Sequence, residues 1–139
     1  YALDGLYVGD MPQTSYIVGL TLKPIKGLRL QALYKTYDRN YADWSPDSRE
    51  IEGDADRAQV WEAPGYSKLD LHASYKLPIK GYDISLTGHI FNALDDVFVQ
   101  DAVDNSKYNG WGDKVHAPHN AEVFLGTPRY ANIGVSINF

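Results

Sequence analysis

His116 and His119 stand three residues apart in a polar stretch that also carries Asp101, Asp104 and Asp113. Imidazoles beside carboxylates can ligate a transition metal or hold a metal chelate. Pro118 lies between the two histidines and the spacing fixes no coordination geometry, so no metal site is assigned to them. His72 and His89 fall on the polar side of alternating segments and are read as residues facing water. No Ser-His-Asp arrangement has local support, so catalysis is not expected, and no cofactor is implied. A second polar stretch is acidic, with Asp47, Glu50, Glu52, Asp54, Asp56 and Glu62 against Arg49 and Arg57. Asp54-Ala55-Asp56 offers oxygens to Ca²⁺, but the remaining ligands of a dedicated loop are missing, which leaves a solvated charge run.

Aromatic residues make a clearer case. Trp44, Trp61 and Trp111 all sit in or beside these polar stretches, together with Tyr66, Tyr108 and Phe124. Flat ligands stack on such side chains while nearby polar groups supply hydrogen bonds. The candidate ligand contacts are therefore Trp61, Tyr108 and Trp111, with Asp104, His116 and His119 beside them. Trp44, Tyr66 and Phe124 lie next to the ends of alternating segments and fit an interfacial aromatic girdle.

The segments that must carry these groups alternate at period two. In the terminal run Ala131, Ile133, Val135, Ile137 and Phe139 alternate with Tyr130, Asn132, Gly134, Ser136 and Asn138. Leu69, Leu71, Ala73, Tyr75 and Leu77 alternate with Lys68, Asp70, His72, Ser74 and Lys76, and Ile84, Leu86, Gly88 and Ile90 with Ser85, Thr87 and His89. Two earlier runs carry Tyr16, Val18, Leu20, Leu22 and Leu28, Leu30, Ala32, Tyr34 on their apolar sides. The expectation is all-β: five antiparallel strands over about 14–24, 28–44, 67–77, 83–100 and 128–139. Pro24-Ile25-Lys26-Gly27 and Pro78-Ile79-Lys80-Gly81 repeat one tetrapeptide, and each predicts a tight turn, over 24–27 and 78–82. The other connections, 45–66 and 101–121, are long and polar.

Short turns at one end and long loops at the other are the layout of bacterial outer-membrane barrels, with the turns in the periplasm. A soluble antiparallel sheet with one wet face shows the same alternation. The runs, however, reach the roughly 9–11 residues that a tilted strand needs to cross a bilayer, and soluble strands average about 5–6. Five strands do not close, since the smallest single-chain barrels have about eight, and an open edge in lipid leaves backbone groups unsatisfied. The remainder of the barrel is expected from the same polypeptide or from other subunits. The chain begins at Tyr1 without a basic or apolar leader, which suggests a piece of a longer or processed protein.

Composition agrees with this reading. The 139 residues contain no cysteine, which excludes disulfides and cysteine-based metal or redox centres. A net charge of −5 leaves no basic stripe for nucleic acid. Twelve glycines and 11 tyrosines against one methionine favour strands and aromatic girdles. Mean hydropathy is only −0.38, as expected where alternate positions alone are apolar.

Three segments resemble the C-terminal signature of TonB-dependent outer-membrane receptors. Pro64-Gly65-Tyr66 followed by Leu69-Asp70-Leu71 and Tyr75 is similar to the family's entry into a late strand. Asn92-Ala93-Leu94-Asp95, with Phe98 after it, resembles the family's Asn-Leu-Phe-Asp run, with Ala93 for Leu and Leu94 for Phe. Gly126-Thr127-Pro128-Arg129 and the strand to Phe139 look like its closing motif. The resemblance implies a barrel of about 22 strands around an N-terminal plug, importing a scarce nutrient with energy from TonB. This chain would then supply about the last five strands, without the plug or the TonB-contacting segment. Its partners would be the rest of the barrel and plug, the TonB complex, outer-membrane lipid and, in some such systems, a surface lipoprotein acting as a lid. Ile133, Val135, Ile137 and Phe139 also resemble the terminal signal read by the barrel-assembly machinery. Arg129, at the top of the last strand, would meet lipid headgroups. A passive porin-like channel and the barrel of a secretion or assembly complex share this wall and remain the alternatives.

Overall fold

The computed structural model describes residues 3–46, 49, 58–106 and 115–138. Its strands are β1 (Pro12–Leu22), β2 (Leu28–Tyr41), β3 (Glu62–Ala63), β4 (Tyr66–Lys76), β5 (Asp83–Phe91), β6 (Val99–Asp104), β7 (Ala121–Leu125) and β8 (Tyr130–Asn138). One sheet runs β1-β2-β4-β5-β8, with β3 paired to β2, and β6 and β7 form a second sheet. The fold is all-β and antiparallel, and the larger sheet is open, with β1 and β8 at its edges. Among the described residues no helix is long and apolar enough to cross a membrane.

Alternation explains why these strands form where they do, and it also marks where the reading from sequence was too coarse. The strand expected over 83–100 ends at Phe91. Asn92 and Asp95 then take positive φ, 48° and 59°, which turns the chain out of the sheet. Asn and Asp tolerate this left-handed region better than other non-glycine residues because their short side chains bond locally. After this turn Val99–Asp104 pairs with Ala121–Leu125, so part of the expected loop 101–121 is itself a strand. Both tetrapeptide turns place their glycine at positive φ, Gly27 at 86° and Gly81 at 87°. At Gly27 a Cβ would also lie 2.6 Å from the Lys76 carbonyl oxygen, so the turn requires glycine twice over.

The chain divides into two compact units, Tyr1–Ser15, Tyr37–Tyr66 and Phe98–Gly126 in the first, and Tyr16–Thr36, Ser67–Val97 and Thr127–Phe139 in the second. The first has an ordinary small core. Tyr41, Ala42, Val60, Ala63, Phe98 and Ala102 are buried there. The Asp43 backbone extends this unit by a parallel bridge to Val103, donating to the Ala102 carbonyl at 2.7 Å and accepting from Asp104 N–H at 2.9 Å.

The second unit is organised differently. Register puts Leu71 opposite Ile90, Ala73 opposite Gly88 and Tyr75 opposite Leu86, and then Ile84, Leu86, Gly88 and Ile90 opposite Ile137, Val135, Ile133 and Ala131. Because side chains alternate faces along a strand, this aligns the apolar stripes of β4, β5 and β8 on one side of the sheet. The other side carries His72, Ser74 and Lys76 against His89, Thr87 and Ser85, which face Asn132, Gly134 and Ser136. The apolar side is uncovered: Val18 is 68%, Val135 62% and Ile133 86% exposed. Among the described residues of this unit the only buried ones are Asp70 and Asn92, both 3% exposed. A sheet in water gains roughly 1.5–3 kcal/mol for each aliphatic side chain it buries fully, and none of the described apolar residues of this face is buried to that extent.

Candidate functional surfaces of the sheet and the loop unit

In the second unit the residues singled out by family resemblance come together around the turn that ends β5. Asp70 reaches it from β4: its Oδ1 accepts the Asn92 N–H at 3.0 Å and its Oδ2 the Lys35 ammonium at 2.8 Å. Asn92 holds the turn by its side chain, donating to the Asp96 carbonyl at 2.9 Å and the Thr127 carbonyl at 3.3 Å while accepting from Asp96 N–H at 3.2 Å. Asp95 then accepts the Arg129 N–H at 2.9 Å, and the Arg129 guanidinium lies 3.6 Å from its other oxygen and 3.4 Å from the Ala93 carbonyl. These contacts tie the end of β5 to the start of β8 and to β4. Asp70, Asn92, Asp95 and Arg129 are therefore positioning residues, and Pro128 sits within the same connection between Thr127 and Arg129. Half-exposed Arg129 spends its charge on Asp95 as well as on its surroundings.

On the polar side, His72 and His89 face each other across β4 and β5, with Nδ1 atoms 2.8 Å apart. Phe91 packs edge-on to His72 and stacks on Tyr130 at 4.7 Å. A recess of about 580 Å³ opens over the pair, lined also by Arg29, Gln31, Ser74 and Asn132. A second groove of about 520 Å³ is lined by Leu20, Leu22, Leu30, Leu71, Ile90 and Ile133 and also borders His72 and His89. Ile17 and Leu33 interrupt the polar side.

In the first unit the structure brings Trp61, Asp104 and His116 together and adds Ser106. Buried Asp104 accepts the Trp61 N–H at 3.1 Å, the Ser106 N–H at 3.0 Å and the His116 Nδ1 at 2.5 Å. The Ser106 hydroxyl bonds the same His116 nitrogen at 3.0 Å. A nucleophilic triad needs serine and carboxylate on different imidazole nitrogens, so this arrangement is a loop latch and has no hydrolase geometry. His119 is exposed in the short 3-10 turn Pro118–Asn120 and does not join it. Tyr108, Trp111, Asp113 and Phe139 lie outside the described residues, as do Asp47, Glu50, Glu52, Asp54, Asp56 and Arg57 of the acidic stretch.

Burial on its own would raise the Asp104 carboxyl, but the Ser106 hydroxyl and N–H, the Trp61 N–H and His116 all favour its charged form and hold it below the ordinary carboxylate range. A depressed native value stabilises the loop above the unfolded value, and that stabilisation is lost as pH falls through the native one. Protection of the Trp61 and Ser106 amides, taken relative to their intrinsic exchange rate, is therefore expected to be high at neutral pH and to fall in acid below the ordinary carboxylate range. Asp104→Ala should lower that protection at every pH by opening the loop, at a cost of about 1–3 kcal/mol for the donors left without an acceptor. Unchanged exchange in that variant would remove the latch.

The aromatic residues sort by packing. Tyr66 stacks on Phe98 at 4.2 Å and meets Tyr37 at 4.9 Å. Gly126 allows this, since a Cβ there would lie 2.0 Å from the Phe98 ring. Trp44 donates its indole N–H to the Tyr7 carbonyl at 3.0 Å and lies 5.7 Å from the Arg49 guanidinium, while Tyr7 stacks on Tyr41 at 4.5 Å. Phe124, on β7, stays half-exposed. Sequence reasoning missed Ser106, Lys35 and Gln59, whose side-chain oxygen accepts the Tyr7 N–H at 3.2 Å. It also missed the meeting of His72 and His89, although counting outward from the Lys80-Gly81 turn brings them opposite. No family model, curated protein or solved structure matches the chain.

Proposed function

We propose that this chain forms late wall strands of a TonB-dependent outer-membrane transporter that imports a large nutrient such as a siderophore, haem, cobalamin, oligosaccharide or peptide. The observation that carries the membrane part is the second unit, which leaves an apolar face exposed and, among the described residues, buries only Asp70 and Asn92. Lipid acyl chains supply to that face what a core supplies in water. The strands β1, β2 and β4, of 11, 14 and 11 residues, are long enough to span a bilayer when tilted. The free edges of β1 and β8 call for the remaining strands of a closed wall. The TonB-dependent part rests on the three sequence segments, whose Asp70, Asn92, Asp95 and Arg129 serve one network. On this reading the first unit belongs to the outer loops and the polar face to the lumen, with the plug and TonB as partners.

Two measurements on the full-length protein separate this reading from the alternatives. The purified periplasmic domain of TonB is expected to bind it, and planar bilayers containing it in KCl are expected to show no steady open conductance, because a plug fills the lumen. A steady conductance without TonB binding would assign a passive channel instead. Neither conductance nor TonB binding would leave an assembly or secretion barrel.

A further inference from the structure

We propose that His72 and His89 form a binding site for a divalent transition-metal ion that prefers imidazole, of the Cu²⁺ or Ni²⁺ type, on the polar face of the sheet. Two nitrogens bound to one metal at 2.0–2.1 Å stand about 2.8–3.4 Å apart for bond angles between square-planar and tetrahedral. The Nδ1 atoms here are 2.8 Å apart, at the square-planar end of that range. Square-planar nitrogen ligation suits Cu²⁺ and Ni²⁺.

The bite is set by the backbone. His72 and His89 are direct antiparallel partners in a register held by Leu71–Ile90 and Ala73–Gly88 on either side. Their rings are inclined at 61°, and each must rotate about its side-chain bonds to turn its lone pair from the other nitrogen towards one point above the sheet. In the metal-free pair one Nδ1–H donates to the other Nδ1; when the ion binds, that ring carries its proton on Nε2 instead, which leaves both Nδ1 lone pairs for the metal. The recess of about 580 Å³ above them leaves room for water or a small co-ligand in the other positions. Phe91, packed on His72, limits how far that ring swings away. Arg29 lines the same recess and acts against a bound cation; water over this face screens that repulsion. The inference holds for any protein in which this face is wet and does not rest on the transport reading.

The probe is Cu²⁺ alone, added to the full-length protein, with electron paramagnetic resonance as the readout. One ion per chain showing coupling to two imidazole nitrogens is expected, and His72→Gln and His89→Gln should each weaken it by about tenfold or more. His119→Gln, in an exposed turn, should leave it unchanged. Protection of His72 and His89 from acylation by diethylpyrocarbonate in the presence of Cu²⁺, read by peptide mass mapping, needs no variant. Coupling to a single nitrogen, loss of binding in His119→Gln, or equal acylation of His72 and His89 with and without Cu²⁺ would overturn the site.

Discussion

Arginine in place of Ile133 is expected to destabilise the full-length protein by about 2–4 kcal/mol in a bilayer, the cost of a charge near the midplane of a barrel's lipid face. Ile133 sits near the middle of β8 on the apolar side, is 86% exposed, and pairs with Gly88, which leaves its surroundings open. In water the same substitution at so exposed a position would cost within about 0.5 kcal/mol, so the size of the effect reports the solvent of that face. Ser136→Arg is the matched control. It stands on the polar side of the same strand, opposite Ser85, and is expected to be near neutral. Urea unfolding in lipid vesicles, followed by tryptophan fluorescence, measures both. Equal and small costs for Ile133→Arg and Ser136→Arg would mean that the apolar face does not meet lipid, and the transporter assignment would lose its foundation.

Asp70→Ala is expected to cost about 2–4 kcal/mol, the loss of a charge-assisted hydrogen bond together with a buried donor left without its acceptor. Its carboxylate side chain is 5% exposed and that of Lys35 is 24% exposed, so the carboxylate is the buried partner and the ammonium keeps part of its water. The substitution also strips the Asn92 N–H of its acceptor at the residue where positive φ turns the chain out of β5. Both losses fall on one turn, and the connection from β5 to β8 should loosen with it. Replacing both partners, as Lys35→Met with Asp70→Leu, should recover the part of the loss that comes from the unpaired ammonium and leave the part that comes from the Asn92 N–H. If the double variant is less stable than Asp70→Ala alone, the cost lies in packing and the ion pair is not its source.

Period-two alternation determined much of this protein without any tertiary information. Strand identity, the two tetrapeptide turns and the assignment of residues to faces follow from it, because side-chain direction in a strand depends only on parity. Leu71, Leu86 and Val135 were therefore legible as one stripe before the register aligned them. The end of β5 was less legible. Ile90, Leu94 and Phe98 fall on one parity on both sides of Asn92, and what breaks the strand is a side chain bonding its own turn. The β6–β7 pairing joins segments about 20 residues apart, and local pattern carries no information about such a partner.

Site geometry divided in the same way. Sequence could place Asp104 and His116 in one polar stretch, but their common nitrogen with Ser106, which excludes triad chemistry, exists only in the folded loop. Parity put His72 and His89 on the polar side, and register set their nitrogens 2.8 Å apart. The sequence by itself decided which side chains share a face, since that is a local property of an extended chain. Only the tertiary structure decided which of them meet, since a distance between strands depends on turn length and register together.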